Sequence, residues 1–262
     1  MVSLATLVAA GCVAVVWSPS DAEVPAAAGE SGARAERTPP AQRSVEPSAP
    51  APSATATSGA GAERRASDPP SGAAIPDKGP GTFVTAPGTS ANAGTGKPLR
   101  YRVEVENGIA LSPAAAAKEV ERILSDPRGW TADGRSAFQR VADEVTDFVV
   151  RIATPGTVDD ICGQYGLDTG GEVNCNVEHN VMVNLKRWEL ATPVYANDVH
   201  AYRALIINHE VGHFLGHGHV TCPGEGKPAP AMMQQIKGMH GCVPNVWPYD
   251  AEGNLITGPP VL

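Results

Sequence analysis

The chain has 262 residues, a net charge of −8 and 42% hydrophobic residues. No basic surplus marks a nucleic-acid partner, so none is expected. The composition also excludes a multi-span membrane protein, a coiled coil and a collagen-like chain. Residue usage is uneven along the chain, and that unevenness gives the first division into segments.

Residues 1–17, MVSLATLVAAGCVAVVW, are almost wholly apolar. The stretch is at the short limit for a spanning helix, and no basic residues stand before it. It reads as a signal peptide or a membrane anchor. Ser20-Asp21-Ala22 offers small residues for cleavage, and Ala9-Ala10-Gly11-Cys12 resembles a bacterial lipobox with alanine in place of the usual leucine. Residues 18–96 hold 12 of the 24 prolines and one aromatic side chain, Phe83. Such a segment buries too little apolar surface to offset chain entropy, and it reads as a disordered Pro/Ala/Ser/Gly-rich linker. The folded domain is therefore expected over 97–262, as a monomer.

Tyr101–Glu106 alternates apolar and polar residues and predicts a strand, with Asn107-Gly108 as a turn. Ser112-Pro113 opens a helix to about Leu124, with Val120, Ile123 and Leu124 on one face. Asp147–Ala153 is a second apolar strand. Val173–Val177 and Val181–Leu185 are two short ones around a turn at Glu178-His179-Asn180. A helix from Asp198 carries Tyr202, Leu205, Ile206, His209 and His213 on one face. Beyond Gly216 there is little regular pattern. The class is α+β.

Besides Cys12 there are four cysteines, Cys162, Cys175, Cys222 and Cys242. An even number in an exported domain favours two disulfides, and four cysteines allow three connectivities. Nearest-neighbour pairing, Cys162 with Cys175 and Cys222 with Cys242, is the favoured one. None of the four sits in a C-x-x-C pair, which argues against a cysteine zinc site.

The chemistry concentrates in His209-Glu210-Val211-Gly212-His213-Phe214-Leu215-Gly216-His217-Gly218-His219, which holds four of the seven histidines. Residues four apart share a helix face, so His209 and His213 can present imidazole nitrogens to one ion. Gly216 can end the helix in a left-handed conformation, after which His219 can return as third ligand. His217 is the competing third ligand, disfavoured because the helix ends before it. Three protein ligands leave one zinc position open, the arrangement of a catalytic Zn2+ site. Glu210 does not point at the ion but can reach water there as general base. His179, His200 and His240 are lone histidines and read as structural.

The H-E-x-x-H-x-x-G-x-x-H pattern resembles that of the metzincin zinc endopeptidases, which also place a methionine turn beneath the histidines. In Pro230-Ala231-Met232-Met233-Gln234-Gln235, Met232 is the better match to that methionine and Met233 the other candidate. Over most of Leu99–Pro248 the chain further resembles an actinobacterial domain of unknown function (family 3152), through YRVEVE, DPRGW, NHEVGHFLGHGH, TCPG, PAPAMMQQ and GCVPNVWP. The resemblance implies a metzincin-like domain with a mixed sheet, an active-site helix and a Met-turn, supported by Gly216 and Met232. It implies no tyrosine ligand, because Gln234 occupies the position where some metzincins carry one.

These readings predict an extracellular or envelope-associated zinc metallopeptidase acting on a protein or peptide substrate, with a strand such as Val181–Leu185 pairing with the substrate backbone. The competing expectation is a non-catalytic extracellular zinc-binding adhesion or scaffold module.

Overall fold

The computed structural model describes residues 74–261; the apolar segment with Cys12, and the Pro-rich stretch up to residue 73, lie outside the described residues. Strands β1 (Phe83–Thr85), β2 (Ala93–Gly94) and β3 (Leu99–Glu106) are followed by helix α1 (Pro113–Leu124). Next come β4 (Ala137–Arg140), β5 (Phe148–Ala153), α2 (Pro155–Gly163), β6 (Cys175–Val177) and β7 (Asn180–Asn184). Helices α3 (Leu185–Leu190) and α4 (Val199–Phe214) complete the regular structure apart from short 3-10 turns. None of the described helices is long and apolar enough to cross a membrane.

The fold is α+β around one mixed sheet of order β2-β4-β3-β5-β7-β6, with β1 also pairing to β3. β4, β3, β5 and β7 are parallel, and β1, β2 and β6 each join antiparallel. β4 pairs with Leu99–Tyr101 and β1 with Glu104–Glu106 of β3. The main core collects Tyr101, Val103 and Val105 of β3, the apolar stripe of α1, and most of α4. Tyr101 stacks on Phe148 at 5.4 Å, and Phe148 meets Phe214 at the end of α4 at 4.7 Å. Local chemistry sets the first helix as expected. The Ser112 hydroxyl accepts from the Ala115 amide, and Pro113 occupies the first turn, where its missing N–H costs nothing.

The fold boundary expected at residue 97 falls too late. β1 and β2 lie inside the stretch read as linker, and residues ahead of them are also built in. Gly81 N donates to Glu106 Oε1 at 2.8 Å, Gly79 N to Thr154 Oγ1 at 2.8 Å, and Gly156 N to the Asp77 carbonyl at 2.7 Å. The reason is the polar side of β3, which is covered rather than solvated. Glu106 is buried and also accepts from Thr154 N, Thr154 Oγ1 and Thr157 Oγ1, so its charge is met by hydrogen bonds on every side. Residues 74–85 bind to the fold mainly through the backbone, which a count of apolar side chains does not register.

Two further differences concern the short strands. β6 begins at Cys175 rather than Val173, and β7 ends at Asn184, whose side chain caps α3 by accepting from Lys186 N at 2.9 Å. β7 is also internal, hydrogen-bonded to β5 on one side and β6 on the other. It has no free edge for a substrate; the edge strand here is β6.

Candidate metal centre

Helix α4 starts at Asp198, whose carboxylate accepts from Ala201 N at 2.9 Å. It is buried on nearly every side from Tyr202 to Gly212, as a helix central to a domain must be. His209 and His213 stand one turn apart near its end. The helix closes with two bonds: Gly216 N donates to the His213 carbonyl and His217 N to the Gly212 carbonyl, each at 2.9 Å. Gly216 has φ of +90°, a conformation that a side chain would strain. This reversal returns His219 to the helix end.

The three imidazoles converge. The Nε2 atoms of His209 and His219 are 3.1 Å apart, those of His213 and His209 3.2 Å, and those of His213 and His219 3.0 Å. His209 Nδ1 donates to the Ala231 carbonyl at 2.8 Å and His213 Nδ1 to the His217 carbonyl at 2.9 Å. A proton on Nδ1 leaves Nε2 with a bare lone pair. Lone pairs facing one point repel unless a cation lies between them. Two nitrogens in tetrahedral zinc geometry, each about 2.0–2.1 Å from the ion, sit about 3.3 Å apart. The triangle fits that spacing, and the three residues form a group that could hold a metal ion. His217 takes no part. Its ring stacks on Trp130 at 4.4 Å, so its role is packing plus the carbonyl that orients His213.

Electrostatics favour the ligand state. Burial and the neighbouring imidazoles pull His209 down to about 3, and burial also lowers His213 and His219. All three are therefore neutral at pH 7 and free to donate lone pairs. Glu210 is 5% exposed and makes no hydrogen bond to any described residue, and burial pushes its carboxyl up to about 8. A cation at the triad would oppose that rise and favour the carboxylate.

Met232 packs against α4 at Gly212. The reason lies in the motif itself: at Gly212, a Cβ would collide with Met232 Sδ and come within 2.7 Å of Trp130 Cζ2. Gly212 is thus a supporting residue that sequence reasoning missed, since the motif leaves that position open. Trp130 is a second; its indole N–H donates to the Asn208 carbonyl at 2.9 Å. Met233 turns the other way, into a small apolar cluster with Ala229 and Cys242. The disulfides are Cys162–Cys175 and Cys222–Cys242, as the nearest-neighbour pairing predicts, and they fit an oxidising compartment. Two of the three lone histidines bond to other elements: His179 Nδ1 lies 2.8 Å from the Asp147 carbonyl and His200 Nδ1 3.1 Å from Glu119.

The triad opens into a cavity of about 420 Å³. One wall is α4, with Tyr202, Leu205, Ile206 and Glu210; the facing wall is the loop from Leu167 to Asn176; Met233–Ile236 form a third side. The end of the described chain straps the third histidine, because Val261 N donates to the His219 carbonyl at 3.0 Å and Thr221 N to the Pro259 carbonyl at 2.8 Å. Nothing in the sequence pattern of that tail signals the contact.

Fold and site together define a mixed α+β domain carrying a three-histidine group that could hold a metal ion, beside a buried glutamate with no hydrogen bond among the described residues. The chain belongs to the family described as "Protein of unknown function (DUF3152)", whose model matches residues 69–250. The match begins well before residue 97, in accord with the early start of the fold. No curated protein and no solved structure matches the chain.

Proposed function

We propose that this chain is an exported, metzincin-like zinc metallopeptidase that hydrolyses peptide bonds in a protein or peptide substrate. The observation carrying the reading is the pairing of two features in one cavity. Three neutral imidazoles aim their Nε2 atoms at one point, and the buried Glu210, without a hydrogen-bond partner among the described residues, lines the same cavity. His209, His213 and His219 would hold the ion, and Ala231 and His217 fix two of the rings through their carbonyls. Bound zinc supplies a Lewis acid for the scissile carbonyl and lowers the pKa of water it carries to about 7. Glu210 accepts the proton of the attacking water and delivers it to the leaving amine. The edge strand β6, whose Cys175 and Asn176 line the cavity, offers unpaired backbone groups to an extended substrate.

A purely structural site needs no Glu210. Burying an unpaired carboxylate is costly, which weighs against the adhesion or scaffold module. The two disulfides favour the extracellular or envelope-associated placement.

The test is an unbiased peptide library incubated with the full zinc-loaded chain and read by mass spectrometry, alongside Glu210→Gln. The wild type should cleave. The variant should keep its zinc and lose about 10²–10⁴-fold in rate, the usual weight of general acid–base catalysis. Equal cleavage by both would remove Glu210 from the mechanism. Stoichiometric zinc with no cleavage by wild type would favour the binding module.

A further inference from the structure

The cavity beside the triad is apolar along most of its length, with Leu167, Val173, Leu205, Ile206, Met233 and Ile236 among its lining residues. Polar side chains interrupt that surface, Asn174, Asn176, Gln234 and Tyr202 among them. Tyr202 lines the cavity and is only 3% exposed, yet its hydroxyl makes no hydrogen bond to any described residue. The contrast with its neighbour is informative. Tyr195, whose ring centre lies 5.5 Å away, donates its hydroxyl to Gln235 Oε1 at 2.6 Å. The sealed side-chain orphans among the described residues are Trp188 Nε1 and Asn208 Oδ1. The Tyr202 hydroxyl is not among them, so the surface it retains faces the cavity that its ring lines. Buried hydroxyls are normally paired, and one left open toward a cavity is a hydrogen-bonding position awaiting a partner.

We infer that Tyr202 is a specificity-determining residue: its hydroxyl marks the pocket beside the triad as a receptor for a substrate side chain with an apolar body and a non-acidic, hydrogen-bonding tip, such as tyrosine or glutamine. The inference rests on the peptidase reading of the same site. The apolar walls grip the body of the side chain. The phenol can donate to or accept from its tip. An acidic tip is disfavoured, because the titratable groups lining the cavity besides the histidines and Tyr202 are the carboxylates Asp168 and Glu210. A plain hydrocarbon of the same shape would cover the hydroxyl and leave it unpaired.

The experiment uses two small hydroxamates that chelate zinc and differ by one hydroxyl, 3-phenylpropanohydroxamate and its 4-hydroxyphenyl analogue. Binding to the full zinc-loaded chain is measured by calorimetry. The 4-hydroxyphenyl compound should bind wild type about tenfold tighter, the scale of one buried hydrogen bond. In Tyr202→Phe the ratio should fall to near one, with zinc content unchanged. An unchanged ratio in the variant, or equal binding of the two compounds by wild type, overturns the inference, as does failure of both to bind. Should Tyr202→Phe misfold, a second isosteric pair carrying glutamine-like and methionine-like side chains decides the matter on wild type alone. Preference there for the polar tip supports the inference, and indifference overturns it. A tenfold, Tyr202-dependent preference in a chain that cleaves no peptide keeps the pocket and removes the peptidase reading. Cleavage without any such preference does the reverse.

Discussion

His209 and His213 are held by one kind of structure and His219 by another. The first two ride on α4, which packs against α1, α3 and β7 and is locked by burial along its length. His219 and Met232 lie in the segment after Gly216, whose only regular element is a 3-10 turn at Gln235–Lys237. That segment has isolated β-bridges rather than a continuous ladder, and side-chain amides help to satisfy its carbonyls. Gln235 Nε2 donates to the carbonyls of Pro230 and Asn245, at 3.2 and 2.7 Å. Asn245 Nδ2 donates to those of Ala229 and Trp247, at 2.8 and 2.9 Å. The Cys222–Cys242 bond closes the loop between them. A ligand can thus be fixed by packing or by a covalent clip with a few buried amides, and the two means should fail under different insults.

The largest effect should come from the helix half. His213→Ala removes one of three donors and should weaken zinc binding by more than about 100-fold, since two imidazoles do not make a site. His217→Ala, three residues past the helix end, should keep the metal, because its ring packs on Trp130 and its carbonyl survives the change. Metal analysis of the two purified variants separates them. Stoichiometric zinc in His213→Ala would break the ligand assignment.

This comparison also explains what the sequence made legible. Helices and ligands follow local rules of spacing, capping and left-handed closure, so α1, α4, Glu210 and the three histidines could be read from the residues alone. The elements that went unread depend on distant partners. β4 is four residues long and is defined by its pairing with β3. α2 opens on Pro155-Gly156, which locally reads as a turn. β1 and β2 sit in a Pro-rich stretch and are held mostly through backbone bonds. Gly212 matters because Met232 and Trp130 both close on it, and no local rule relates those three positions.

The two disulfides sharpen the contrast at the next scale. Each closes a short loop, with sequence separations of 13 and 20, and each is worth about 3 kcal/mol in the chain-entropy model. Replacing both cysteines of either pair by serine should therefore lower stability by similar amounts. The consequences for the metal should differ. Loss of Cys222–Cys242 frees the segment carrying Met232 and should also weaken zinc binding. Loss of Cys162–Cys175 loosens the wall from Leu167 to Asn176 and should leave the metal in place. Thermal melts paired with competition against a fluorescent chelator would measure both. Equal loss of zinc from the two variants would mean that the walls are not independent.

The smallest effect tests the joint between the halves, where α4 rests on Met232. A methyl group added at Gly212 would overlap Met232 Sδ and crowd Trp130, and Met232 is itself 6% exposed. Overpacking of this kind costs about 1–3 kcal/mol, and alanine returns about 1 kcal/mol through its better helix propensity. Gly212→Ala should therefore lower stability by up to about 2 kcal/mol, or the melting temperature by up to about 8 °C for a domain of this size. Introduced together with Met232→Ala, which vacates the space, the same change should cost less than it does alone. A double-mutant cycle on melting temperature measures the coupling. A rise in stability for Gly212→Ala alone would mean that helix and methionine are not in tight contact, and that the irregular half is held by its own clip rather than by α4.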